Sequence, residues 1–166
     1  FSPACREALL SGATHSEASR INARHTDRKI SLQAYYIIPK IRETDQWLRQ
    51  DPKRNNHLME SHPEAWFHYW NGQRPLEHPK KTRAGRQLRQ QLLATKHPDC
   101  PQAIQKITET YPRSQLQPDD ALDALALALA AATTPRLHCL SGKTDQDEEG
   151  VPRRILISAE ISPPLP

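Results

Sequence analysis

Apolar residues return at helical spacing through most of the chain and cluster as strands would in only two short places. After Ser31, the positions Leu32, Tyr35, Ile38, Ile41, Thr44 and Leu48 recur at three to four residues within LQAYYIIPKIRETDQWLRQ, which lines one helix face. Ser31 is suited to cap that helix, and Pro39 inside it predicts a kink. Asn55 and Asn56 form a turn before His57 to Glu60, a strand candidate. Ser61-His62-Pro63-Glu64 then opens a helix through AWFHYW that ends at Asn71-Gly72. Ser61 and Glu64, three residues apart, match a capping box. Thr82 caps a basic helix over Arg83 to Lys96, His97-Pro98 stops it, and Pro101 opens another that Pro112 ends. Pro118 stands at the first position of the most apolar helix. After the polar loop SGKTDQDEEG, the residues Ile155, Leu156 and Ile157 suit a strand. Helices outnumber strands, and two short strands do not make a stable sheet by themselves.

A length of 166 residues is that of one ordinary domain, taken here as 1–160 with a loose proline-rich tail at 161–166. The longest apolar run, Ala124 to Ala132, falls short of the roughly 18 residues a membrane span needs, so no membrane partner is expected. Cys5, Cys100 and Cys139 are far apart and odd in number, which supports neither a disulfide framework nor a thiolate zinc site and makes a reducing cytoplasm the default. The first residue is Phe1 and no signal-peptide pattern follows, so the chain reads as a fragment or processed product. A formal charge of +4 favours polyanionic partners without identifying one.

Three carboxylates, Asp119, Asp120 and Asp123, open a helix that is otherwise alanine and leucine. Exposed N–H groups in the first turn explain the first two. Asp123 lies further in and shares a face with Asp120, so it must be ion-paired, neutralised or bound to a cation; metal or catalytic use and a salt bridge both stand open. Glu60, at the end of the strand candidate, is preferred to Glu64 as a functional acid, with an exposed strand end as the alternative. His62 could be a ligand, a proton carrier or a turn residue, and no H-E-x-x-H pairing supports zinc. Lys80, Lys81, Arg83, Arg86 and Arg89 come without an intervening acid, and the three arginines recur every third residue, as a stripe following phosphates or a solvated basic helix face would. Trp66, Phe67, Tyr69 and Trp70 suit a core better than a base-stacking platform. Phosphate-loop, nucleophile-elbow and kinase signatures are absent.

The ordered set FSPACREAL, SLQAYYIIPKIRETD, ESHPEAWF, KKTRAGRQLR, DDALDALALALA and DEEGVPRRILI resembles domain-of-unknown-function family 429, predicted nucleases of RNase H-like fold. The resemblance spans nearly the whole chain and implies an α/β fold, a mixed sheet flanked by helices. The last helix is also similar to that of RuvC-type junction resolvases, which makes Asp120 and Asp123 the matching metal-binding acids, and Glu60 falls where the fold has an acid at a strand end. Family members begin with strands carrying glycine and aspartate upstream of F-x-P-x-C-R-E. This chain starts at that segment, so the resemblance implies that the N-terminal strands and first catalytic aspartate are absent and that the truncated chain is inactive or impaired. The implied activity is phosphodiester hydrolysis with Mg²⁺ or Mn²⁺ held by Glu60, Asp120 and Asp123, on DNA or RNA gripped by Lys80, Lys81, Arg83 and Arg86. The rivals are a non-catalytic nucleic-acid or protein-binding module of the same fold and a decayed relative with neither activity.

Overall fold

The structure, a computed structural model, describes residues 4–140, 145–147 and 149–158. Its described residues fall into two compact units, one from 4–58 with 147–151 and the other from 59–146 with 152–158.

The first unit comprises α1 (Arg6–Leu10), α2 (His15–Thr26), α3 (Leu32–Gln50) and a 3-10 turn at Pro52–Asn56. Thr14 and Glu17 close a reciprocal capping box at the start of α2. Asp27 ends it in the left-handed region, at φ 57°. Half of this unit's buried apolar cluster is alanine, Ala8, Ala18 and Ala34 beside Leu9, Ile30 and Ile38, so the core has little apolar bulk. Polar bonds complete the packing. Buried Asn22 accepts from the Cys5 N–H at 2.7 Å and donates to the Arg28 carbonyl at 2.7 Å, and Arg42 donates twice to the Leu9 carbonyl. Ser31 caps α3 by accepting from the Ala34 N–H at 3.1 Å. The helix then runs unbroken through Pro39. Arg6 bridges Asp45 and Asp147, and Arg49 reaches Asp45 and Glu149.

The second unit holds α4 (Pro63–Trp70), α5 (Arg83–Lys96), α6 (Cys100–Thr110), α7 (Pro118–Thr133), β1 (Leu137–Cys139), β2 (Asp145–Gln146), β3 (Pro152–Arg153) and β4 (Leu156–Ser158). Helix α7 packs against α4, α5 and α6 around Phe67, Leu93, Cys100, Ile104, Leu122 and Ala126. Burial pushes the Cys100 thiol up, away from the thiolate a nucleophile or metal ligand needs. Strands β1 and β4 pair antiparallel, Leu137 opposite Ser158 and Cys139 opposite Leu156, and Ile157 packs against Trp66 and Ala130. Strands β2 and β3 form a second antiparallel pair.

An α/β composition therefore holds in a coarse sense, as seven helices with small antiparallel ladders among the described residues. Thr82 caps α5 by accepting from the Gly85 N–H at 3.0 Å, and Pro118 opens α7, both as expected. The strand over His57 to Glu60 does not form. The Glu60 carbonyl accepts one backbone bond from the Leu156 N–H at 2.8 Å, and a single bond does not make a ladder. The Ser61–Glu64 capping box is also absent. His62 is the N-cap, without a side-chain bond, while Ser61 Oγ donates to the Leu156 carbonyl at 2.6 Å and accepts from Trp66 Nε1 at 2.7 Å. Tertiary partners have taken both groups of the box. Although apolar nearly all round, α7 leaves Asp120, Ala124 and Ala128 exposed. No helix among the described residues is long and apolar enough to cross a membrane. The tail at 161–166 and much of the loop at 141–150 lie outside the described residues.

Candidate functional site

Two ion pairs of the second unit, Lys80–Asp123 and Arg89–Glu64, link the segment before α5 to α7 and α5 itself to α4. Successive residues of a helix are about 100° apart, so residues four apart differ by only about 40°. Asp119 and Asp123 thereby share the side of α7 that also buries Leu122 and Ala126, and Asp119 is itself buried. Asp120 projects from the exposed side.

Lys80 reaches this face from the segment before α5, its Nζ 2.6 Å from Asp123 Oδ2. The hydrogen bond that Lys80 donates to Asp123 raises the ammonium above its ordinary value against the opposing effect of burial, and the charges of Asp123, Asp119 and Glu64 add to it. One ammonium thus sits in the field of three carboxylates from two helices. Asp123 Oδ1 is buried and has no hydrogen-bond partner.

The backbone that presents Lys80 is fastened at both ends. The Pro79 carbonyl accepts from the Thr82 N–H at 3.0 Å and from its hydroxyl at 2.8 Å. Arg89 Nη1 donates to the His78 carbonyl at 3.2 Å. Gly85 is required by a close approach, since a Cβ there would lie 2.0 Å from the Pro79 carbonyl oxygen. Arg89 is 3% exposed and grips Glu64 with two bonds, Nε to Oε1 at 3.0 Å and Nη2 to Oε2 at 2.7 Å. Its guanidinium also lies 5.5 Å from the Phe67 ring centroid. Beside these groups opens a cavity of about 550 Å³, bordered by Glu64, His68, His78, Lys80 and Arg89.

The expected site residues divide. Asp123 and Lys80 meet; Glu60 and Asp120 are exposed and do not join them. No three His, Cys, Asp or Glu side chains among the described residues converge as a metal cage. Lys81 and Arg83 are exposed near the start of α5, and Arg86 is half-buried and donates to the Lys81 carbonyl at 2.5 Å. Arg89 is not part of a phosphate-facing stripe. Steps of three residues rotate each arginine by about 60°, so the third lies about 120° round the helix from the first and faces the core. His62 is exposed, and Trp66 and Phe67 are core residues. From the sequence, Asp119 is accounted for by the helix N-terminus, Arg89 by the basic stripe and Glu64 by a cap; the i,i+4 spacing of Asp119 with Asp123 is the available signal that the two share a face.

The fold and the cavity define a largely helical unit with paired opposite charges around a cleft. The chain belongs to the family described as protein of unknown function (DUF429), whose model matches residues 1–146, a range that includes every residue of the cavity. No curated protein and no solved structure matches the chain.

Proposed function

We propose that the chain forms part of a divalent-metal-dependent nuclease of RNase H-like type, handling phosphodiester bonds of DNA or RNA at the Lys80 cavity. The observation that carries this reading is the pairing of Lys80 with Asp123, one turn along α7 from buried Asp119, beside a helix start bearing Lys81, Arg83 and Arg86 with no acid in its first turn. Mg²⁺ is commonly held by one or two carboxylates, with waters and substrate phosphate oxygens completing its shell. Asp119 and Asp123 fit that demand, and the unpartnered, buried Asp123 Oδ1 is a donor atom available to such an ion. When bound there, Mg²⁺ or Mn²⁺ would supply Lewis acidity and a more acidic water. Lys81, Arg83 and Arg86 would hold the anionic backbone, a sequence-independent role. Arg89 would keep Glu64 and the His78 carbonyl in place and so orient Lys80. Glu60 and Asp120 are exposed, and the proposed site is built on Asp119 and Asp123 instead.

A specific observation favours a second reading. Asp123 and Glu64 each have a cation of the chain's own, at 2.6 Å and 2.7 Å, as a non-catalytic nucleic-acid-binding module would. Asp123→Asn separates the two. Under the nuclease reading, Mn²⁺-dependent cleavage of single- and double-stranded DNA and RNA is lost in the variant while oligonucleotide affinity, followed by fluorescence anisotropy, is retained. Equal metal-dependent cleavage by both proteins refutes the site assignment. Salt-dependent binding without cleavage by either supports the module.

A further inference from the structure

We infer that Lys80 is a tethered counter-ion that occupies Asp123 until a phosphate draws it away, so that binding of a divalent cation at Asp119 and Asp123 is coupled to binding of a phosphodiester. The inference rests on the metal reading above and adds to it an order of events. Lys80 Nζ stands 2.6 Å from Asp123 Oδ2, close enough to exclude a divalent cation from that carboxylate by charge repulsion. The two partners differ in freedom. The Asp123 side chain is 18% exposed and fixed on a packed helix, whereas that of Lys80 is 34% exposed and borders the cavity. Bonds to the His78 and Pro79 carbonyls and the close approach at Gly85 hold the backbone of this segment, which leaves the flexible stem of Lys80 as the part able to move.

The place it would move to is defined by its neighbours. Lys81 and Arg83 are exposed on the same segment and at the start of α5. A phosphodiester bound by them would offer the Lys80 ammonium a second anionic partner within the same stretch of chain. Departure of Lys80 leaves Asp123 Oδ2 without its cation, while buried Oδ1 is already without a partner, and a largely buried carboxylate in that state favours a metal ion. Without a phosphodiester, Lys80 keeps the carboxylates neutralised and the metal out. By linkage, the factor by which phosphodiester tightens metal binding equals the factor by which metal tightens phosphodiester binding.

Isothermal titration calorimetry with Mn²⁺ tests this on the wild-type chain, Lys80→Met, Asp123→Asn and the double variant, each with and without a short phosphorothioate oligodeoxythymidine. Lys80→Met is expected to bind Mn²⁺ alone about tenfold or more tightly than wild type, within the usual range of coupling between sites. The oligonucleotide should tighten Mn²⁺ binding to wild type but not to Lys80→Met, and the double variant should lose the gain. Lys80→Gln, which retains a hydrogen-bond donor for Asp123, should shift in the same direction and serves if Lys80→Met does not fold by circular dichroism. Equal Mn²⁺ affinity in wild type and both Lys80 variants, all dependent on Asp123, overturns the counter-ion role and leaves the metal site standing. Absence of Mn²⁺ binding from every protein, with oligonucleotide present, overturns both.

Discussion

Replacing Arg89 with methionine isolates the pair that shapes the site, because methionine keeps much of the side-chain volume and removes every donor. Arg89 is 3% exposed, and its guanidinium makes two bonds to Glu64, one to the Gly85 carbonyl at 2.9 Å and one to the His78 carbonyl at 3.2 Å. Removing one partner of a fully buried pair costs about 3–5 kcal/mol. The Glu64 side chain is 35% exposed and can recover part of its hydration, which brings the expected loss to about 2–3 kcal/mol. Glu64→Gln retains an acceptor for the guanidinium and should cost less, about 1–2 kcal/mol, with the double variant falling short of the sum because one interaction has been counted twice. Urea unfolding read by Trp66 and Trp70 fluorescence suits the measurement, since both lie in the unit that contains Arg89. A Trp47→Phe background removes the signal of the other unit. An Arg89→Met protein within about 0.5 kcal/mol of its parent, or strictly additive effects with Glu64→Gln, would refute the account of Arg89 as the anchor.

Gly85→Ala should destabilise by about 1–3 kcal/mol in the same assay despite the helix propensity of alanine, because the added Cβ meets the Pro79 backbone; a stabilised variant would show that the Pro79 segment is not held against α5. In the first unit, burial pushes the Asp147 carboxyl up, but the Arg6 hydrogen bond and the N–H groups of Val151 and Glu149 outweigh it and the net shift is downward. A depressed carboxylate stabilises the folded state above its unfolded value of about 3.9 and loses that contribution as pH falls through its lower folded value. The stability gap between wild type and Asp147→Asn, from urea melts followed by circular dichroism, should be widest near neutral pH and shrink below about pH 4. A gap unchanged down to about pH 2 would contradict this.

The helices that could be read from the chain are those with a local signal at each end. Thr82 and His97 bound α5 and Pro118 opens α7, Thr82 through its hydroxyl, His97 through its backbone N–H and Pro118 through its ring-fixed φ. Helices α1 and α2 carry few large apolar residues, so periodicity is faint there, although Thr14 and Glu17 spell a capping box that could have been seen. The same box pattern at Ser61 and Glu64 misled, because Trp66, Leu156 and Arg89 bind those two side chains instead. Glu64 and Arg89 are 25 residues apart, and Lys80 and Asp123 are 43 apart. No local spacing carries either pairing. What was legible of the site was that Asp123 needed a partner, and what was not legible was that Lys80 would supply it.

That pairing is poorly explained by stability alone. Charges taken partly out of water lose hydration that their mutual attraction repays only in part, and apolar residues of similar volume often do as well or better by about 1–4 kcal/mol when a pair is fully buried. The Lys80 and Asp123 side chains are 34% and 18% exposed, which moderates both the cost and the gain. Replacing them together, as Lys80→Met with Asp123→Leu, should therefore leave the urea midpoint unchanged or raise it, while Asp123→Leu alone lowers it by leaving Lys80 without its partner. The neighbouring face of α7 is already leucine and alanine, so an apolar pair is chemically at home there. A large loss in the double variant would identify the pair as a structural clamp and remove the physical argument for a site at this position. An unchanged or higher midpoint would mean that the fold does not require the two charges, which is what the proposed site expects of them.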